Sequence, residues 1–333
     1  MAKERDAFFD NYKAFLIVMV VFGHFLNYPA NRNVAFAGIL RNYIYLFHVP
    51  AFVFISGYFA HKTKVSKLIK SLLLPYFILQ IIYYFVYHQV GHNVQFRLIW
   101  PYFTLWYLIA LFIWRMIINL FGKNKALIPI SFLVSIFVPY IAPMRHFFSL
   151  FRVISFFPYF VLGNHLDIDK WKEISSKPKA KIISIFFLLI MFAFTCLYYK
   201  NFNVEVLNCQ MSYSQMGLPV IGGLARVQII LFALAFIFAF GCLMPKGNTI
   251  FTTLGQRTMR VYILHGFVYK TLSYGTGVFD LVNNAFSLCV YLILLIILAY
   301  LLQYEPIDNL LNWICSIPEK VYYKWKEHFL VRM

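Results

Sequence analysis

Long apolar runs separated by short polar connections occupy most of this 333-residue chain. A helix that spans a bilayer needs about 20 predominantly apolar residues. We therefore predict an all-α, polytopic membrane protein with about ten transmembrane helices. The ninth predicted span is the most polar because it includes two arginines, a histidine and a lysine. The predicted spans are residues 12–30, 35–60, 68–88, 99–119, 126–143, 150–166, 181–199, 219–243, 257–275 and 281–303.

Composition agrees with a membrane protein. Only 13% of residues are charged, about half the share of a soluble globular domain. The net charge of +18 would suit a nucleic-acid partner, but excess Lys and Arg in a membrane protein normally marks cytoplasmic connections. We therefore expect the lipid bilayer, and no nucleic acid, as a partner.

The basic residues gather on one side of the predicted layout. With the N-terminus inside, that side receives the lysine-rich connections near residues 62–70 and 170–181, the cations near 115–125, and the basic C-terminal tail. This asymmetry predicts that both termini are cytoplasmic in a protein of the plasma membrane.

Domain organisation follows from the same layout. We predict one membrane domain, residues 1–308, and a basic, aromatic tail, residues 309–333, that suits the surface of the anionic inner leaflet. The longest predicted outer connection, about 200–218, is too short for a soluble domain, so none is expected.

Several kinds of chemistry lack their sequence signals. The five cysteines have no CxxC spacing and sit mostly in apolar runs, so we predict neither a disulfide framework nor a metal site. No Walker loop or G-x-S-x-G elbow is present. We find no acidic residue inside any confidently assigned span. Because acidic side chains are a usual device of proton- and cation-coupled transporters, this pattern disfavours such a transporter.

The first predicted span holds two ionisable residues, Lys13 and His24, eleven positions apart. On an α-helix this spacing leaves them about 20° apart around the axis and about 16 Å apart along it. An ionisable side chain within a membrane span suggests function, and an imidazole can act as a general base near neutral pH. The alternative is a structural histidine that bonds a neighbouring helix or Asn27, one turn further on.

The second predicted span holds another histidine, His48, close to Pro50. Proline removes a helical hydrogen bond to the carbonyl of Leu46, so we predict a kink beside His48. Irregular backbone at membrane depth commonly lines a cavity. His48 is therefore a second candidate, whereas Ser56 and Gly57 suit close packing against a neighbouring helix.

The connection after this span offers a candidate binding site for an anion. Lys67 and Lys70 are three residues apart and share a face if the next helix has already begun. At a cytoplasmic mouth they would attract a phosphorylated cofactor. The alternative is that they only set the topology.

Six segments in order carry a family resemblance over residues 5–303. The segments are RDAFFDNYKAFLIVMVVFGHF, FHVPAFVFISGYF, KLIK followed by LLLPY, LWYL, FFPYFVLG and YILHG. On these segments the chain resembles the acyltransferase-3 family of integral-membrane acyltransferases, and within it the bacterial sugar O-acetylases that include fucose 4-O-acetylase-like proteins.

The resemblance implies an activity and roles for the candidate residues. Lys13 and His24 match the family's basic residue, ten intervening positions and histidine, and Lys67 and Lys70 match its basic-x-x-basic motif. Lysine stands where arginine is common, so it would act as a point charge and not as a bidentate fork. The implied reaction moves acetyl from cytoplasmic acetyl-CoA to a glycan or a lipid-linked sugar, with no metal.

These expectations combine into one hypothesis with two alternatives. Lys13, Lys67 and Lys70 would bind the phosphates of acetyl-CoA, and His24 would deprotonate the acceptor hydroxyl. His48 or a nearby hydroxyl would orient the acceptor or stabilise the oxyanion. An exporter or flippase for lipid-linked sugar, and a scaffold in an envelope-synthesis complex, are the alternatives. A homo-oligomer remains open.

Overall fold

The computed structural model describes residues 5–141, 147–304 and 309, which form helices and no strand. Apart from residue 309, the predicted interfacial tail lies outside the described residues. A π-helical segment, Ile69–Leu73, joins the helix that ends at Leu68 to the helix that begins at Leu74. In chain order the α-helices of the described residues are α1 (Ala7–Phe25), α2 (Asn27–Asn31), α3 (Ala35–Tyr45), α4 (His48–Tyr58), α5 (Val65–Leu68), α6 (Leu74–Gln89), α7 (Trp106–Phe121), α8 (Leu127–Phe137), α9 (Leu150–Asn164), α10 (Ile168–Ser176), α11 (Pro178–Tyr198), α12 (Val204–Asn208), α13 (Gly222–Leu243), α14 (Thr252–Gln256), α15 (Thr258–Gly275) and α16 (Ala285–Leu301).

The described helices support the membrane-protein interpretation. Five helical runs are long and apolar enough to cross a bilayer: Ala7–Asn31, Ala35–Tyr58, Val65–Gln89, Pro178–Asn201 and Gly222–Leu243. Four shorter helices are also apolar: Trp106–Phe121, Leu127–Tyr140, Leu150–Asn164 and Ala285–Leu301. The ninth predicted span corresponds to α15, which belongs to neither group. The count of ten and the side of the termini stay predictions.

The predicted distortion beside Pro50 is a break between two helices. Helix α3 ends at Tyr45 and α4 begins at His48, which places Pro50 in the first turn of α4, where proline is tolerated. The Nδ1 of His48 donates a hydrogen bond to the carbonyl oxygen of Ile44, 2.8 Å away. The structure therefore confirms the irregularity, and it positions His48 at the start of a helix.

The fourth predicted span begins later than the sequence indicates. Residues 99–105 are apolar enough for a span, but α7 begins only at Trp106. The side-chain amide of Gln80 donates to the carbonyl oxygens of Arg97 and Trp100, both at 2.6 Å. Phe103 adopts a positive φ of 46°. This non-helical connection brings Phe103 and its neighbours to the site described below.

Helices α4 and α9 pack with their backbones in close approach. A Cβ atom on Gly57 would lie 2.0 Å from the carbonyl oxygen of Phe160, and one on Gly163 would lie 1.8 Å from that of Phe54. The side-chain amide of Asn164 donates to the carbonyl oxygen of Ala60, two residues after α4, at 2.6 Å. The predicted role of Gly57 in close helix packing is confirmed.

We expect Gly57→Ala to destabilise the protein. The new methyl group would overlap the backbone of Phe160, and overpacking of this kind costs about 1–3 kcal/mol. Thermal unfolding of the detergent-solubilised protein would show a lower Tm. Gly38→Ala is the matched control, because its Cβ would lie 3.6 Å from the ring of Tyr199, an ordinary contact. An unchanged Tm for Gly57→Ala would contradict the described packing of α4 on α9.

Two basic connections meet the N-terminal end of α1. Lys172 of α10 forms an ion pair with Asp6, the N-cap of α1, at 2.5 Å. Lys13 lies 5.1 Å from the ring centroid of Phe59, the residue that follows α4. The lysine-rich connections after α4 and after α9 therefore lie at the same end of the bundle. The sequence predicts the connection after α9 only as a hydrophilic segment, whereas in the structure it contains helix α10.

Candidate active site

A cavity of about 420 Å³ contains both predicted histidines. His24 comes from the last turn of α1, and His48 comes from the first turn of α4. The connection before α7 and the segment after α12 close its other sides. Other side chains that line the cavity and are used below are Asn27, Tyr45, Arg152, Trp106, Asn208 and Gln210.

One face of α1 lines this cavity and a second one. Ile17, Val20 and His24 border the main cavity, and Lys13 borders a cavity of about 230 Å³. These four residues are spaced by four, three and four positions, which puts them on one helical face. The predicted shared face of Lys13 and His24 is therefore confirmed. The rise of about 16 Å between them separates a cation from an imidazole along one wall.

Packing holds the His24 ring in the main cavity. Its centroid lies 4.7 Å from that of Phe103 and 5.3 Å from that of His265. His24 does not form the alternative hydrogen bond to Asn27. The Asn27 amide instead donates to the Tyr45 hydroxyl at 2.9 Å. In the described part of the chain, the His24 nitrogens have no hydrogen-bond partner. Both are free to meet a substrate.

His265 is a buried neighbour that the sequence hypothesis did not assign to the site. Its Nδ1 donates to the carbonyl oxygen of Val261 at 2.9 Å, so the Nε2 of the neutral ring carries a lone pair. That atom is buried and has no hydrogen-bond partner among the described residues. The sequence signal for a role of His265 was its position as an ionisable residue in the ninth predicted span. Its contact with His24 could not be predicted, because it depends on how α15 packs against α1.

The hydrogen bond of His48 limits what its ring can do. Because Nδ1 donates to a carbonyl oxygen, the Nε2 of the neutral ring is an acceptor. This Nε2 lies against α1, 3.5 Å from where a Cβ on Gly23 would be. A neutral His48 can thus orient a substrate hydroxyl, whereas donation to an oxyanion would need a second proton on the ring.

The second cavity holds two cations. Lys13 and Arg115 both line it, and Lys13 is paired with Asp10 at 2.7 Å. The Nε of Arg115 is buried without a hydrogen-bond partner among the described residues. Asp10 is itself buried, in the first turn of α1 and two residues before the predicted first span. Asp10 balances one of the two positive charges, so Lys13, Arg115 and Asp10 together leave a net positive charge beside one small cavity, which can attract an anion.

Three side chains form a wall common to both cavities. Phe52, Tyr107 and Tyr262 line each of them. The Tyr107 hydroxyl lies 2.7 Å from the Oγ of Ser56, and the Tyr262 hydroxyl donates to the carbonyl oxygen of Thr104. The cationic cavity and the histidine cavity are therefore direct neighbours, separated by hydrogen-bonded tyrosines and one phenylalanine.

Lys67 and Lys70 lie outside both linings. Both are exposed, and neither borders either cavity. The segments that carry them pack against α7, the helix of Arg115. Arg115, which the sequence layout treats only as a topology charge, thus occupies the cavity beside Lys13.

Arg226 is buried elsewhere. Its Nη1 contacts the Sγ of Cys209 at 2.7 Å, and it lines neither cavity. Among the described residues there is no group of three or more His, Cys, Asp or Glu side chains that could hold a metal ion.

The helical fold with apolar spans and a buried histidine cavity defines a membrane protein with a site suited to proton transfer. A family model described as an acyltransferase domain, Acyl_transf_3, matches residues 6–304. The chain therefore belongs to this acyltransferase family, and the predicted resemblance is confirmed.

A curated relative is similar over a short stretch only. The nodulation protein NolL of Sinorhizobium fredii (strain NBRC 101917 / NGR234) is 42% identical over 64 residues, which cover 19% of this chain and 18% of that protein. This chain thus matches less than a fifth of its relative's length. No solved structure matches the chain.

Proposed function

We propose that this protein transfers an acetyl group from acetyl-CoA to a hydroxyl group of an envelope sugar, in a capsular polysaccharide, an exopolysaccharide or a lipid-linked precursor. The observation that carries the proposal is the adjacency of the two cavities. One offers cations to an anionic donor, and the other offers an unbonded imidazole to a reacting hydroxyl.

On the donor side, Lys13 and Arg115 would bind the phosphates of acetyl-CoA. Charge-assisted hydrogen bonds to phosphate are stronger than hydrogen bonds between neutral groups. The Nε of Arg115, which has no partner among the described residues, can donate one. The pantetheine arm would pass the wall of Phe52, Tyr107 and Tyr262, so that the thioester reaches His24. The rise of about 16 Å between Lys13 and His24 suits an extended arm.

On the reaction side, His24 is the general base. A neutral His24 takes the proton of the acceptor hydroxyl as that oxygen attacks the thioester carbon. The carbon–sulfur bond then breaks, CoA leaves as the thiolate, and His24 returns the proton to its sulfur. The Nε2 of His48 would accept a hydrogen bond from a neighbouring hydroxyl of the sugar and so orient it.

The orientation in the membrane belongs to the same proposal. The N-terminal end of α1 and the lysine-rich connections share one end of the bundle. If that end is cytoplasmic in a plasma-membrane protein, the cationic cavity faces the compartment that holds acetyl-CoA. Lys67 and Lys70 would then attract the donor to the mouth without entering the cavity.

Mass spectrometry of envelope glycans tests this function. Cells that lack the gene should lose an O-acetyl group from one glycan, and the wild-type gene should restore it. Restoration by His24→Asn would contradict the proposed base. A glycan that keeps its acetylation but no longer reaches the cell surface would instead favour the exporter alternative.

A further inference from the structure

The main cavity also carries a positive charge to which the proposed transfer assigns no role. Arg152 of α9 lines this cavity, and none of the described residues that line it is Asp or Glu. In the described ranges, no carboxylate forms an ion pair with Arg152. The exposed carboxylate of Glu205 in α12 interacts with Arg152 electrostatically, but it forms no ion pair with it and does not line the cavity. A partly buried cation with no paired carboxylate favours an anionic ligand.

Three contacts fix the guanidinium of Arg152. Its Nε donates to the carbonyl oxygen of Asn208 at 3.0 Å, and its central carbon lies 5.0 Å from the ring centroid of Trp106. The side-chain amide of Gln210 faces it. A planar fork held in this way has little rotamer freedom left to lose, and its geometry matches a carboxylate or a phosphate.

Arg152 lies apart from Lys13 and Arg115, the cations that are proposed to bind the donor. Asn208 ends α12 and Gln210 follows it, and both line the main cavity but not the cavity of Lys13 and Arg115. An anion at Arg152 would therefore share the cavity with His24 without occupying the place assigned to the phosphates of CoA. In the proposed reaction this is the place left for the acceptor.

We propose that Arg152 recognises a negative charge on the acceptor glycan, in the form of a sugar carboxylate or of a phosphate attached to the sugar. This inference rests on the proposed acetyl transfer and names the class of its acceptor. Trp106 and the backbone of Asn208 position the guanidinium, and Gln210 would yield its contact to the incoming anion.

Equilibrium dialysis with radiolabelled probes tests the inference on the purified full chain in nanodiscs. The probes are phenyl β-glucuronide, glucose 1-phosphate and the neutral phenyl β-glucoside. We expect at least one anionic probe to bind ten or more times as tightly as the glucoside. Preference for the glucuronide assigns a sugar carboxylate, and preference for glucose 1-phosphate assigns a phosphate. Arg152→Gln should remove the preference, and Arg152→Lys should retain part of it.

The matched control is Arg97→Gln. Arg97 also stacks on a tryptophan, with its guanidinium carbon 4.0 Å from the ring centroid of Trp100, but it does not line the cavity. This variant should keep the preference. Equal binding of all three probes by the wild type, or an unchanged preference in Arg152→Gln, overturns the inference.

Binding of labelled acetyl-CoA to the same preparations separates this inference from the proposed function. A wild type that binds anionic sugars but no acetyl-CoA contradicts the proposed acetyl transfer. If Arg152→Gln loses acetyl-CoA as well as sugar, Arg152→Lys decides the matter: a weaker preference for the anionic probe supports the role of Arg152, and an unchanged one overturns it.

Discussion

His24→Asn is expected to lower the rate of acetyl transfer at least 100-fold. A positioned general base contributes about 10²–10⁴-fold to a rate, and asparagine has no basic nitrogen. Because His24 makes no hydrogen bond within the described structure and is held by Phe103 and His265, the substitution removes the base without breaking a polar network. The measurement is the release of CoA thiol with acceptor present, together with acetyl-CoA binding, which should stay within about threefold.

His88→Asn is the matched control for this substitution. His88 is also in the last turn of its helix, but it is exposed and bonds the carbonyl oxygen of Tyr84. Its variant should transfer acetyl at the wild-type rate. If His24→Asn retained more than a tenth of the wild-type rate, His24 would not be the base.

Arg115→Gln and Lys13→Gln are each expected to raise the KM for acetyl-CoA about 10–100-fold. A hydrogen bond to a charged group contributes about 1.5–3 kcal/mol, and 1.4 kcal/mol corresponds to a tenfold change. Steady-state kinetics at varied acetyl-CoA should show this rise, with kcat much less affected because the thioester end of the donor is untouched.

A phosphate-free donor shows whether these cations act on the phosphates. With S-acetyl pantetheine, which lacks the nucleotide phosphates, the wild type and both variants should have similar KM values. Lys200→Gln, an exposed lysine outside both linings, should resemble the wild type. An equal KM rise with both donors would mean that Lys13 and Arg115 only support the fold.

Lys67 and Lys70 are expected to behave differently. Because both are exposed, their attraction for a phosphorylated donor should fade as salt screens it. The double variant Lys67→Gln/Lys70→Gln should raise the KM for acetyl-CoA at low ionic strength and match the wild type at about 1 M salt, where the Debye length is about 3 Å. A salt-independent loss would instead place them in direct contact with the donor.

What the sequence could predict was local. Helical periodicity alone puts Lys13 and His24 on one face, and Pro50 alone marks the break that positions His48. Both features depend on backbone hydrogen bonds between residues close in sequence, so they do not depend on how distant segments pack. Family resemblance added the reaction, and the match over residues 6–304 confirms the family.

What the sequence could not predict depends on contacts between distant segments. Arg115 of α7 joins Lys13 of α1 only because both side chains border the same small cavity, and His265 meets His24 only because α15 brings its ring beside α1. The apolar stretch before Trp106 stays non-helical because Gln80, far away in sequence, bonds its carbonyl groups. Arg152 lies in a predicted span, but its position in the cavity depends on α9 and the segment after α12.

Acetyl transfer by His24 can be tested with the purified protein in nanodiscs, acetyl-CoA labelled in the acetyl group, and envelope glycan from cells that lack the gene. We expect the label to enter the glycan as an ester released by mild base, with one CoA thiol freed per acetyl group, and His24→Asn to abolish both. If the glycan stays unlabelled while acetyl-CoA remains intact, the protein is not the proposed acetyltransferase.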